Sequence, residues 1–471
     1  MKNIFKNMTL AVMLVFACGL LTSCNDYLGV LPKGSKIPVS LADYEALLRD
    51  EYTCQTTNIT QSINLLNDAY VTNSNLNYYP LYKANYFWDE SANRIELNNS
   101  DETTYYNSYA AISTFNLILE SAPSATNCTE AERNTLMAQA KVLRSLVYFT
   151  LTNFYAQTYD KATASQKLSV PLILSANMGA SYTQVTIEQM YKFMIDNIKE
   201  AIAYLPEKSV TIIHPNLSSA YALLARIYLQ QEEYDLALTN AQEALKHNST
   251  LYDWVGYYNK NKAQIENPNS YTATASPAGY DYIENYYYRH GLRSGAGSEY
   301  SVLLERASRF EPGDARFAAR YKIKTLGANT YYTSTTKGFF NDGGLKTSEM
   351  YLIKAECFAR AGKLSDAMDA LNAVRIKRIL PAKYVALTAS TMEEAIHYIR
   401  RTKENEMMFS IVAFGDARRF NKDSKYATTL SKVVDGVTYS LSPTSHLWTM
   451  VFPMGAIKNS GNGTLVQNVE K

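Results

Sequence analysis

The residue types that usually perform chemistry are present in this chain but are not arranged to perform it. Five histidines, His214, His247, His290, His397 and His446, form no HExxH and no i,i+4 pair. GxSxG, P-loop and GxGxxG patterns are absent, the acids form no EF-hand ladder, and no pair of carboxylates stands out for cleaving a glycosidic bond. The expectation is therefore a protein that is not an enzyme and holds no metal or cofactor.

Recognition chemistry is better supplied. A sugar ring has an apolar C–H face and a rim of hydroxyls, so a site for it needs flat aromatic rings to stack on and amides, carboxylates or Arg to meet the hydroxyls. Two stretches offer that mixture. One runs from Tyr70 to Asn99, with Tyr78, Tyr79, Tyr82, Tyr86, Phe87 and Trp88 beside Asn85 and Asn93; the other, 248–345, has Tyr286, Tyr287, Tyr288, Arg289, Arg293, Tyr331 and Tyr332. The candidate ligand contacts are Trp88, Tyr86, Asn93, Tyr286, Tyr287, Arg293 and Tyr331. An extended peptide could be held by the same groups through stacking and backbone hydrogen bonds.

Those stretches need a frame, and helical periodicity provides one. Capping boxes at Ser40–Asp43, Thr186–Gln189 and Thr391–Glu394 open helices. Glu130 to Tyr155 reads as one long helix, with Leu136, Ala140, Leu143, Val147, Leu151 and Phe154 stepping by fours and threes. Another stripe, Tyr105, Tyr109, Ile112 and Leu119, carries Asn116, an amide expected to pin helices together. Pro215 to Lys246 has the spacing of a tetratricopeptide hairpin, turning at Gln230-Gln231-Glu232-Glu233. That spacing returns at Tyr351, Ala355, Phe358, Leu364, Ala367, Leu371 and Val374, so the repeats are not tandem. The predicted fold class is all-α, with tetratricopeptide-like helical hairpins forming an α-α superhelix with long loop-rich insertions. A single domain is expected over 39–471, its helices at about 101–247 and 346–410 and a loop-rich insert at about 248–345.

The amino terminus reads as an export signal. Lys2 and Lys6 precede an apolar run from Met8 to Leu21, too short to span a bilayer comfortably, which ends in Leu21-Thr22-Ser23-Cys24. That tetrapeptide resembles a bacterial lipobox, so 1–23 would be removed, Cys24 acylated, and 24–38 left as a tether. Membrane attachment would then be by lipid alone. Cys54, Cys128 and Cys357 are scattered and read as packed thiols. With 46 basic against 44 acidic residues, nothing points to nucleic acid.

The order of these parts resembles the SusD/RagB family of Bacteroidetes outer-membrane nutrient-binding lipoproteins. The matching residues are Cys24-Asn25-Asp26-Tyr27-Leu28; Tyr109, Ile112 and Asn116; Ala140, Leu143 and Arg144; Ala220 to Leu245; Asp416-Ala417-Arg418-Arg419; and Pro453, Ile457, Asn459, Leu465, Gln467 and Asn468. The family's E-R-x-x-E-L-x-x-E-G-x-R segment is replaced here by Thr402-Lys403, Glu406-Met407, Ser410-Ile411 and Ala413, with Glu406 alone retained. The resemblance implies a surface lipoprotein of the outer membrane, facing the exterior, that binds oligosaccharide and passes it to a SusC-like TonB-dependent β-barrel transporter. Capture of peptides or another nutrient on the same architecture is an alternative, as is a tetratricopeptide scaffold for a protein partner. In this reading the hairpin at 215–246 is scaffold turned towards the transporter, and ligand chemistry sits in the Tyr-rich stretches.

Overall fold

The computed structural model describes residues 37–468 apart from 67, 72–75, 78, 99–102, 178, 271–273, 292–300, 328, 338–339 and 462. Cys24 and most of the tether lie outside the described residues. The principal helices are α1 (Leu41–Leu48), α2 (Thr103–Ser121), α3 (Glu130–Tyr155), α4 (Ile187–Ile202), α5 (Leu217–Gln230), α6 (Tyr234–His247), α7 (Thr347–Arg360), α8 (Leu364–Arg375), α9 (Met392–Glu406) and α10 (Ile411–Phe420). Their starts follow from the caps: Thr129 and Glu132 satisfy each other's backbone at the head of α3, and Thr186 with Gln189 does the same for α4.

Neighbours in the chain are neighbours in space from α2 to α6, and α6 then packs directly on α7, which pairs with α8 and α9. The two tetratricopeptide hairpins, a hundred residues apart in sequence, are thus consecutive in the stack. Alanine makes this possible. Ala220, Ala225, Ala237, Ala241 and Ala244 in the first hairpin, and Ala355, Ala359 and Ala367 in the second, are completely buried, and small residues at the contact bring helix axes close. The hairpin turns use left-handed backbone at Glu232 (φ 62°) and Gly362 (φ 75°).

Buried ion pairs tie the stack across the point of insertion. Arg226 of α5 meets Glu349 of α7 at 2.6 Å and donates to the Gly344 carbonyl at 2.7 Å. Arg419 of α10 meets Glu356 of α7 at 2.6 Å. Its neighbour Arg418 donates to the carbonyls of Asn153 and Ala156, placing a cation at the negative end of the α3 dipole. Asn116 is buried as a pin: it accepts from Arg144 at 2.8 Å and donates to the Ile173 carbonyl at 2.9 Å. The carboxy-terminal segment is latched by amides. Gln467 exchanges two hydrogen bonds with the Phe452 backbone, and Asn468 donates to the Met450 and Tyr155 carbonyls.

The two stretches expected as loops are more ordered than their composition suggested. Helices Pro80–Tyr86 and Arg94–Leu97 occupy the first. The second contains short helices Trp254–Lys260 and Ala315–Arg320, and strands that belong to a four-stranded antiparallel sheet in the order Ala69–Tyr70, Ser301–Val302, Asn329–Ser334, Tyr321–Leu326. This sheet joins the two stretches, because a strand before α2 pairs with one about 230 residues later. Among the described residues, no helix is long and apolar enough to cross a membrane, and no group of three His, Cys, Asp or Glu is placed to hold a metal ion.

Candidate functional site

The aromatic side chains singled out from the sequence are mostly structural. Trp88 is 4% exposed and Tyr86 1%. The Trp88 indole donates to the Leu65 carbonyl at 2.9 Å, from a residue held at φ 53°. The Lys432 ammonium lies 3.7 Å from the Tyr86 ring centre and 4.2 Å from that of Trp88, and donates to the Tyr86 carbonyl. Burial pushes this amine down to about 7. Tyr286 and Tyr287 are equally enclosed: the Tyr286 hydroxyl donates to the Asn248 carbonyl, and Tyr287 pairs with Leu345 in a two-stranded ladder. A ring with protein on both faces has none left for a sugar, so these four positions are corrected from ligand platforms to core. Asn93 is exposed but accepts from the Glu96 amide as the cap of Arg94–Leu97. Tyr331 is buried and stacks on Tyr70, ring centres 4.2 Å apart at 11°. Arg293 lies outside the described residues. The described members of this set do not line one cleft.

A different group converges. Where the insert meets the end of α9, a recess with about 40 Å³ of cavity space is lined by Trp254, Tyr282, Phe310, Phe317, Phe340 and Arg320 from the insert, with Lys346 before α7 and Glu406 at the end of α9. Each wall is locally explained. The Trp254 indole donates to the Tyr282 hydroxyl at 3.0 Å, which donates in turn to Glu284 at 2.9 Å. Asp314 caps the helix Ala315–Arg320 through the Arg316 and Phe317 amides, so Arg320 is the last residue of that helix.

Beneath the recess lies a buried ion-pair cluster, in which Glu284 Oε2 has no hydrogen-bond partner among the described residues. Arg378 reaches Glu284 and Glu406, each at 2.6 Å; Arg316 reaches Glu406 and, at 2.5 Å, Asp314. Burial raises the Glu406 pKa, but Arg316 and Arg378 outweigh it and hold the carboxyl below its ordinary value. The lining itself has two cations outside this cluster. The Arg320 guanidinium lies 4.4 Å from the Phe340 ring centre, and its Nε is buried with no acceptor among the described residues. Lys346 Nζ reaches only the Glu406 carbonyl, at 3.5 Å. Burial lowers the pKa of this amine, with Glu406 and Asp342 acting against the shift.

The arrangement suits binding: two partly exposed rings, Phe310 and Phe317, share the lining with Arg320, whose Nε has no acceptor among the described residues. Trp254 and Tyr282 stand in the Tyr-rich insert, but nothing in their spacing marks them out from the other aromatics. The one local signal at Arg320 is Asp314 opening a short helix that ends in Arg320-Tyr321.

Residues 230–470 match the model of the SusD family, and residues 26–229 match a SusD-like model described as starch-binding and associating with the outer membrane. The chain belongs to the SusD family. Solved structures of other SusD-family proteins share its architecture. A SusD superfamily protein from Bacteroides thetaiotaomicron is 17% identical with a TM-score of 0.66, covering 92% of this chain and 100% of its own. A SusD-like carbohydrate binding protein from Bacteroides vulgatus is 17% identical with a TM-score of 0.65, covering 90% and 97%. Surface glycan-binding protein A from Bacteroides uniformis is 16% identical with a TM-score of 0.67, covering 91% and 100%. No curated protein sequence matches significantly. At such identities the SusD fold is shared while contact residues are not transferable, so the site of this SusD-family chain rests on its own geometry.

Proposed function

We propose that this protein is a cell-surface lipoprotein that binds oligosaccharide and delivers it to a SusC-like TonB-dependent β-barrel transporter, held at the outer membrane by acylation of Cys24. The observation that carries the reading is the recess itself. Phe310 and Phe317, the partly exposed rings of its lining, stand beside Arg320, whose Nε has no acceptor among the described residues. Apolar ring surface next to a free donor is the pairing a sugar's C–H face and hydroxyl rim require. Trp254, Tyr282 and Phe340 are buried and form the wall. The carboxylates beneath it, Glu284, Glu406 and Asp314, are each engaged by a guanidinium. Such groups hold a wall in place and are poorly suited to pass protons, which favours binding over turnover.

The alternative, peptide capture, has one specific support. Among the described residues, strand Tyr321–Leu326 pairs on one side only, with Asn329–Ser334, leaving an edge to which an extended chain could add. Calorimetric titration of the purified protein against glycan and peptide panels separates the two. Saturable glycan binding weakened by Phe317→Ala is expected; binding confined to peptides would overturn the glycan reading.

A further inference from the structure

We infer that the recess takes an anionic saccharide, its charged group seated on Arg320; this inference rests on the glycan-binding reading above. The case begins with charge that has nowhere to go. Arg316 and Arg378 share three carboxylates, Asp314, Glu284 and Glu406, at salt-bridge distance. Arg320 belongs to the same layer and has no ion pair among the described residues. Its Nε is buried, without a hydrogen bond. A charged donor group left partly unmet is costly, and an acceptor that reaches the guanidinium offsets that cost.

Placement supports the same reading. The guanidinium plane is held against Phe340 at 4.4 Å and lies 5.4 Å from the Tyr321 ring centre. Its backbone is fixed by the end of helix Ala315–Arg320 and by the Thr335 amide, which donates to the Arg320 carbonyl at 2.7 Å. A ring against the guanidinium restricts its orientation, and Nη1 and Nη2, which are not enclosed, are the donors open to a ligand. A planar fork so held matches a carboxylate or sulfate bidentately. Lys346 adds a second, weakly partnered cation in the same lining.

Of the two acids in the lining, Glu406 is claimed by Arg316 and Arg378, whereas Asp342 acts on Lys346 and offsets that amine's charge, so the anion is assigned to Arg320. With about 40 Å³ of cavity space the recess has room for a charged substituent, and the sugar ring bearing it stays outside.

The test uses matched ligands. The mature protein is titrated with uronate-containing oligosaccharides of several backbones, with the same oligosaccharides after carboxyl reduction, with sulfated galactan oligosaccharides that contain no uronate, and with neutral maltoheptaose. Binding of at least one acidic member is expected, weakened roughly 10- to 100-fold by carboxyl reduction or desulfation and by Arg320→Gln. Arg320→Lys should retain part of the affinity, and the acidic ligand's Kd should rise steeply with salt. The sulfated and carboxylated arms identify which anion is preferred. Binding of neutral glycans alone, or acidic binding unchanged in Arg320→Gln with the variant's thermal unfolding matching the parent, overturns the inference and leaves the glycan reading standing. Failure of every glycan to bind overturns both.

Discussion

Replacing Arg378 with methionine removes one charge from the floor of the recess while keeping most of the volume of the stem. Arg378 is 1% exposed and Glu284, 2.6 Å away, is fully buried. The substitution also removes the bond from Nε to Glu406 and a 2.7 Å bond to the Tyr252 carbonyl. The two acids respond differently. Glu406 keeps Arg316, whereas Glu284 is left with neutral donors, the Tyr282 hydroxyl at 2.9 Å and the Tyr252 amide at 2.8 Å. Stripping one partner from a buried pair costs about 3–5 kcal/mol, a large share of a typical total of about 5–15 kcal/mol. Arg378→Met should therefore lower the unfolding free energy by about 4 kcal/mol, read from urea denaturation followed by tryptophan fluorescence. Adding Glu284→Gln removes the stranded charge and preserves an acceptor for Tyr282, so the double variant should recover most of the loss. The single change Glu406→Gln should be milder, about 1–3 kcal/mol, because both arginines keep a carboxylate. If Arg378→Met unfolds within about 1 kcal/mol of the parent, or Glu284→Gln restores nothing, the cost does not come from an uncompensated Glu284 charge and the reasoning fails.

Other expectations can be checked with the same material. Trp88→Ala should destabilise by about 3–5 kcal/mol through loss of a buried ring, yet leave glycan affinity unchanged in the folded fraction; a selective loss of affinity would return Trp88 to the site. Glu356 and Glu406 are held below their ordinary values because nearby cations, Arg419 for the first and Arg316 with Arg378 for the second, outweigh burial. Their stabilisation is complete above the unfolded carboxylate pKa of about 4.3 and is lost as pH falls through the depressed folded values. Thermal unfolding between pH 7 and 3 should show a plateau followed by a steep acid limb, and a rising Tm below pH 4 would contradict it. Burial pushes the Cys54 and Cys357 thiols up to about 12, so iodoacetamide at pH 8 should label them only after unfolding.

The helical frame was legible because its signals are local. The capping residues and the stepping of Leu136 through Phe154 predict Glu130–Tyr155, and the observed helix has those limits. The turns at Glu232 and Gly362, and Asn116 as a pin, follow from the same short-range reasoning. The recess was not legible, for identifiable reasons. Tyrosine serves both core and surface, so a chain with 38 of them hides which face is buried: Tyr86 and Tyr287 lie inside while Tyr79 is half exposed. Pairing of Ala69–Tyr70 with Ser301–Val302 has no sequence signature, nor does the packing of α6 on α7 across the insert. Glu406 was recognisable as a retained family position, but its partners Arg316 and Arg378 are separated from it by 90 and 28 residues. Arg320 carries no local mark either: its lack of an ion pair among the described residues appears only in the folded arrangement.

The stacking of α6 directly on α7 has a further consequence. It holds both ends of the intervening segment side by side, whatever lies between them. The entropy of closing a loop whose ends are already fixed grows only with the logarithm of its length, about 0.6 kcal/mol per doubling. Closure entropy therefore sets little limit on the length of the exposed turns of this segment, such as 267–269, where an insertion should cost the superhelix little. The segment is nevertheless anchored: Glu284 and Arg316 are buried and paired with the frame, and Tyr286 and Tyr287 are packed into its core. A foreign 248–345 segment would have to supply those contacts before it could change which ligand is captured.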